Sequence, residues 1–365
     1  MLFSYQYVPH QMEKMQNFIN FIFYQVWCRA PKCGVFNLAL FDANPNLKEV
    51  MTAFFYSDTK GGDFFYGSVE RIYNLFARLA RPEIAQFKRW YQANNDIKGI
   101  CANNPALHIA RYADVLPAHP ELGKELAAFF KGLYSSELLG LKALKEKICN
   151  IDDHYNNFMR ANTVGKCPFC GITDMQGIYH TKREAYDHYL PKALYPFNSI
   201  NFHNLVPACH HCNSSYKTSK DPAFTPKDPT GGMLRRKVFY PYANPGHKIE
   251  IEIRLKKSDI DHLEPDDLDI GFGPEKLNEE IETWKDIYGI EKRYKAKCCG
   301  ESDGKYWVAQ VLDEWHEDGR TPADYLATLI RQTDKYPFAD SNFLKTAFLE
   351  GCSRIGLFNV IAEEA

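Results

Sequence analysis

Two Cys-x-x-Cys pairs, Cys167-Pro168-Phe169-Cys170 and Cys209-His210-His211-Cys212, stand 38 residues apart in the chain. Each pair presents two thiolates from one tight turn, and two such pairs complete a tetrahedral zinc site. Gly171 directly follows the first pair and lets the backbone turn away from the metal. Four buried cysteines without a metal would require two such pairs to fall by chance in one basic, loop-rich segment. Four sulfur ligands leave no open position, so Zn²⁺ is expected here as a structural ion. Its work is to hold a small irregular domain whose own core is too small to fold alone.

The other cysteines give no second centre. Cys28 and Cys33 form a lone pair suited to core or turn thiols, and the adjacent Cys298-Cys299 cannot easily share one metal. Eleven cysteines used this way suggest metal ligands and buried thiols rather than a disulfide framework. The apolar run from Phe18 to Trp27 is about half the length needed to cross a bilayer. It contains Asn20 and Gln25, follows Glu13 and Lys14, and lacks a small-residue cleavage site, so no signal peptide is expected. A soluble cytoplasmic protein without membrane contact is the expectation.

At 365 residues, 45% hydrophobic and 25% charged, the chain has room for two or three domains. Residues 1–159 are expected to be mainly helical. Ser68 is placed as the cap of a helix that Arg81-Pro82 stops, and a helical pattern runs from Glu121 to Ile148. Residues 160–245 read as loops and a hairpin around the cysteines. Residues 246–365 begin with a strand, Lys248–Leu255, in which charge and aliphatic residues alternate. Helices follow the polar Asp259–Asp269 stretch, one ending at Gly289 and one starting at Thr321-Pro322. The fold class is α+β, with a small central domain between helical flanks.

Charge is uneven beneath a net of −2. Residues 160–237 hold 11 Lys+Arg against 5 Asp+Glu, and residues 259–365 hold 12 against 24. A basic middle beside an acidic tail suits contact with a polyanion in one place and with something else in another. Two differently solvated surfaces would give the same totals.

Within the basic middle lie Asp187-His188-Tyr189-Leu190-Pro191, then Asn204-Leu205, then Asn213 directly after Cys212. Phosphodiester hydrolysis needs an activated water and a hard cation on the phosphate and leaving oxygens. His188 titrates near neutrality and is the candidate general base. Asp187 offers a carboxylate oxygen suited to Mg²⁺ or Mn²⁺. Neighbours in a strand point to opposite faces, so both can serve one site only if a bulge or turn redirects one.

This ordered set of motifs resembles the HNH endonucleases, whose ββα-metal site is often stapled by two zinc knuckles. The resemblance covers roughly residues 165–245. It implies a central ββα-metal domain in which Asn213 begins the helix and gives the second metal ligand, in place of the His common there. Asn204 would pin the loop that orients His188. Lys192, Lys217 and Lys220 are candidates for phosphate contact, with a plain solvated surface as the alternative for the last two. DNA is the implied substrate. The long flanks, absent from minimal HNH units, imply a protein partner or a recognition module. In having such extensions the chain is similar to prokaryotic antiphage effectors, such as the nuclease subunits paired with an ATPase in Septu-type systems. A zinc module that binds without cleaving and a recombination or repair nuclease are the alternatives. Asp261-His262-Leu263-Glu264-Pro265 repeats the motif without cysteines or Asn-Leu after it, and reads as chance.

Overall fold

The structure, a computed structural model, describes residues 1–359. The apolar run near the start folds as one continuous helical rod. It passes from Glu13–Phe21 through a π turn, Ile22–Val26, and a 3₁₀ turn, Trp27–Arg29. Ile19, Ile22, Phe23, Val26 and Trp27 are all fully buried along one face of the rod, while Gln25 and Arg29 on the other side are exposed. The Trp27 indole N–H donates to the Val69 carbonyl at 3.0 Å. Val69 belongs to the helix Lys60–Phe76, whose buried face carries Phe65, Val69, Ile72, Tyr73 and Phe76. That helix packs on Pro120–Gly132 through Leu126, Phe129 and Phe130.

The structure corrects three local expectations in this region. Ser68 lies buried in mid-helix and accepts from Arg71 Nη2 at 3.0 Å; the cap is Thr59, which accepts from the Gly62 N–H at 3.2 Å. Gly61 and Gly62 do not break the helix, because the absence of a side chain lets it approach Glu137: a Cβ on Gly61 would stand 3.0 Å from the Glu137 carbonyl oxygen. Pro82 opens a helix, Arg81–Asn95, where its missing N–H costs nothing. The pattern from Glu121 to Ile148 divides into Pro120–Gly132, Ser136–Leu139 and Lys142–Ile148, with Ser135 capping the second piece at Leu138 N.

The middle of the chain is a small hairpin. Strand β1 (Tyr186–His188) pairs antiparallel with β2 (Leu205–Pro207), with Asp187 opposite Val206 and His188 opposite Leu205. A π-helical turn, His211–Lys217, follows β2. The next hairpin joins β3 (Glu250–Leu255) to β4 (Leu268–Gly273). β4 falls where helix was expected to resume; Leu268, Ile270 and Phe272 alternate there with Asp269 and Gly271. Helix Asn342–Arg354 covers β3, and a Cβ on Gly351 would meet the Ile253 carbonyl oxygen at 2.4 Å. The helix ending at Gly289 (φ +58°) and the one capped by Thr321 form as expected. No helix among the described residues is long and apolar enough to cross a membrane.

His154, on the helix Ile151–Ala161, ties this frame to β1. It is buried, bonds through Nδ1 to the Tyr186 hydroxyl, and lies 3.3 Å through Nε2 from the Val8 carbonyl oxygen. Burial, helped by the neighbouring His10, pulls its pKa down to about 4. The folded state therefore holds it neutral where the unfolded chain, at about 6.5, takes up a proton. Stability from this group is complete above pH 6.5 and falls as the pH drops towards 4, by about 2 kcal/mol at pH 5. Denaturant titrations at pH 7.5 and 5 should show this loss shrinking by about that amount in His154→Gln.

Candidate functional site

Cys167, Cys170, Cys209 and Cys212 are buried together, with their sulfur atoms within 4.8 Å of one another. The first pair sits in a turn closed by Gly171 N–H to Cys167 O at 2.7 Å, with Gly171 at φ +70°. The second pair straddles the end of the hairpin and the first residues of the π turn, where the Cys212 N–H donates to Cys209 Sγ at 3.4 Å. Hydrogen bonds from Cys167, Cys209 and Cys212 hold the Cys170 thiol well below the usual range. A hydrogen bond with Cys167 also lowers Cys209, while burial pushes Cys167 and Cys212 up. Four crowded soft ligands, two of them disposed to ionise, suit zinc.

The cluster is also a junction. The carbonyls of Pro168, Phe169 and Cys170 accept from Leu2 N–H at 2.8 Å, Trp284 Nε1 at 2.6 Å and the Tyr294 hydroxyl at 2.8 Å respectively. Phe169 stacks on Tyr288 with ring centroids 4.5 Å apart. The buried Arg293 donates to Cys212 Sγ at 3.2 Å, placing a cation on the thiolate cluster. The first knuckle is thus gripped by the start of the chain and by two C-terminal helices, Asn278–Tyr288 and Ile290–Cys298.

His188 ends β1 and is half-buried. Nε2 lies 2.9 Å from the Ser199 carbonyl oxygen, which assigns the proton to Nε2 and leaves the Nδ1 lone pair free. Burial, with the Lys192 cation next in effect, pulls its pKa down to about 3, so the ring is neutral across the physiological range. Contrary to the expectation it does not titrate near neutrality, and it is a weaker base than a free imidazole. The Tyr134 ring stands edge-on to it, centroids 5.0 Å apart. Tyr134 comes from the helical N-terminal region, and no pattern in the sequence connects it to His188.

Asp187 is buried and turns to a different neighbour. Its Oδ1 lies 2.8 Å from Lys217 Nζ, which also donates to the His188 carbonyl at 2.9 Å. Its Oδ2 is buried without a hydrogen-bond partner among the described residues. Burial raises the Asp187 carboxyl above its usual range, and the Lys217 cation opposes that rise. Asn213 is part-buried four residues before Lys217, and its carbonyl accepts from Thr218 N–H at 2.9 Å, the long-range closure of a π turn. Asn204 is fully buried: Oδ1 accepts from Leu190 N–H at 2.7 Å, and Nδ2 donates to the carbonyls of Leu190 and Asn198 at 3.1 and 3.2 Å. It clamps both ends of the 189–204 loop that carries Ser199.

The three lysines expected at phosphates all have partners within the chain. Lys217 is fully buried on Asp187, not on the surface. Lys220 binds the carbonyls of Asp286 (2.8 Å) and Ile287 (3.4 Å), at the C-terminal end of a helix where a cation is favourable. Lys192, half-buried, donates to the Lys131 carbonyl at 3.2 Å. Lys292 and Lys297 of the acidic C-terminal region, with His211 and Tyr216, line a groove of about 640 Å³ beside the π turn, which none of Asp187, His188 and Asn213 lines. The repeated motif at Asp261-His262 is exposed, with His262 held only by Asp259.

Comparison of the chain with protein-family models, with curated proteins and with solved structures returns no match.

Proposed function

We propose that the chain is a metal-dependent HNH endonuclease that hydrolyses phosphodiester bonds of DNA. The observation that carries this reading is the arrangement around β1. A hairpin and a helical turn, joined at the cysteine cluster, carry a neutral imidazole and a buried carboxylate oxygen without a partner among the described residues. The two stand at adjacent positions of one unbulged strand, where side chains face opposite ways, so one of them must turn for both to serve one site. The orphaned Asp187 Oδ2 is an oxygen donor suited to a hard divalent ion, and by the resemblance Asn213, on the adjoining turn, would give the second ligand. Mg²⁺ or Mn²⁺ held there would neutralise charge on the phosphate and on the departing oxygen.

The side chains do the rest. His188 Nδ1 takes a proton from water, and the Nε2–H bond to Ser199 spreads and orients the resulting positive charge. Asn204 fixes the loop that presents Ser199, and Tyr134 limits rotation of the ring. Phosphates, which carry no sequence information, are the groups such a site addresses. A defence effector working with an ATPase subunit is the finer reading, supported by the resemblance and by the excess of acid over base in residues 259–365, where DNA would be repelled.

One observation favours a second reading, a zinc module that binds without cleaving: the Lys217 ammonium already neutralises one oxygen of Asp187. Cleavage of duplex DNA by the zinc-loaded chain separates the two. Divalent-dependent cleavage that drops in both Asp187→Asn and Asn213→Ala, with zinc content unchanged, is the expected result. No cleavage with any divalent ion, with or without partner proteins, would favour the binding module.

A further inference from the structure

Lysine is almost never fully buried without a reason, and an ion pair taken out of water returns little net stability. The side chains of Lys217 and Asp187 are 1% and 3% exposed, with Nζ and Oδ1 2.8 Å apart. An apolar pair of the same volume would serve the fold at least as well. The local backbone is also arranged around this lysine. It ends a seven-residue π turn, a form often found at functional sites, and the next residue, Thr218, has a φ of +51°.

The carboxylate is divided between two situations. Oδ1 carries the ammonium, which is also anchored to the His188 carbonyl at 2.9 Å. Oδ2 is buried and bare. A divalent ion on Oδ2 would share one carboxylate with a fixed, buried monocation, and like charges in so little-solvated a setting repel more strongly than in solution.

We propose that Lys217 is the resident cation of this site, neutralising Asp187 when no metal is bound and weakening the hold of Oδ2 on a divalent ion. Divalent occupancy then follows the surrounding Mg²⁺ or Mn²⁺ concentration, in contrast to the zinc, which four thiolates retain. Lys217 is a positioning residue for Asp187 rather than a phosphate contact. This inference rests on the nuclease reading for the identity of the divalent site.

The test is calorimetric titration of Mn²⁺ into the full-length, zinc-loaded chain, which needs no turnover. Lys217→Met should bind Mn²⁺ about tenfold tighter than the wild type or more, because a like charge beside the site is gone. Lys217→Gln, which keeps hydrogen-bond donors and removes the charge, should shift the same way and serves if the Met variant fails to fold. Mn²⁺ should also raise the unfolding temperature of these variants more than that of the wild type. Unchanged or weaker Mn²⁺ binding in both, while Asp187→Asn still abolishes it, overturns the role of Lys217 and leaves the divalent site standing. Mn²⁺ binding that is absent from every chain, or indifferent to Asp187→Asn, overturns both.

Discussion

Serine in place of Cys167, Cys170, Cys209 or Cys212 is expected to unfold the chain well beyond residues 160–245. Structural zinc contributes about 10–16 kcal/mol to small metal-dependent folds, as much as the whole stability of an ordinary domain at about 5–15 kcal/mol. Here the Cys167–Cys170 turn also supplies three successive carbonyls to Leu2, Trp284 and Tyr294, and Cys212 Sγ accepts from Arg293. Losing one thiolate frees the turn, and those partners lose their acceptors while still buried, at about 1–3 kcal/mol each. Hydrogen exchange should show lost protection at Leu2 and across the helices Asn278–Tyr288 and Ile290–Cys298, together with the hairpin. Retained protection in those helices after zinc removal would confine the metal's role to the hairpin.

His188→Ala is expected to lower DNA cleavage by about two to four orders of magnitude, the usual effect of losing a general base. Zinc content and unfolding temperature should hardly change. The imidazole makes one hydrogen bond, to a carbonyl at the edge of a loop that Asn204 pins independently. The residue is only half-buried, so truncation leaves no sealed cavity. A variant that keeps the wild-type rate would remove His188 from the chemistry.

The features that could be read from the sequence are those whose signal is local. Two C-x-x-C pairs announce their own geometry, and the cluster forms as their spacing requires. The Thr321 cap and the Gly289 stop are each set by one or two neighbouring residues. What escaped depends on contacts distant in sequence. Ser68 had the composition of a cap, yet the Gly61-Gly62 pair, a breaker by propensity, is kept helical by its fit against Glu137. Lys217 looked like any surface cation one turn past Asn213. Only the pairing of β1 with β2 brings Asp187 to it, and only a π turn sets its side chain there. Tyr134 and Arg293 reach the site from the two flanks, where nothing in their own neighbourhoods marks them. β4 was hidden by its acidic and glycine residues, although its aliphatic alternation with Asp269 and Gly271 was present.

If a hard divalent ion and His188 together cleave DNA at β1 while zinc only holds the fold, the two metals have separable effects. Plasmid DNA incubated with full-length protein, stripped of loosely bound metal but retaining its zinc, tests this most directly. Intact plasmid is expected until Mg²⁺ or Mn²⁺ is restored, then nicked or linear product, with added Zn²⁺ unable to substitute and with His188→Ala inactive under the same conditions. Cleavage that proceeds without added divalent ion, or equally well in His188→Ala, would contradict that division of roles.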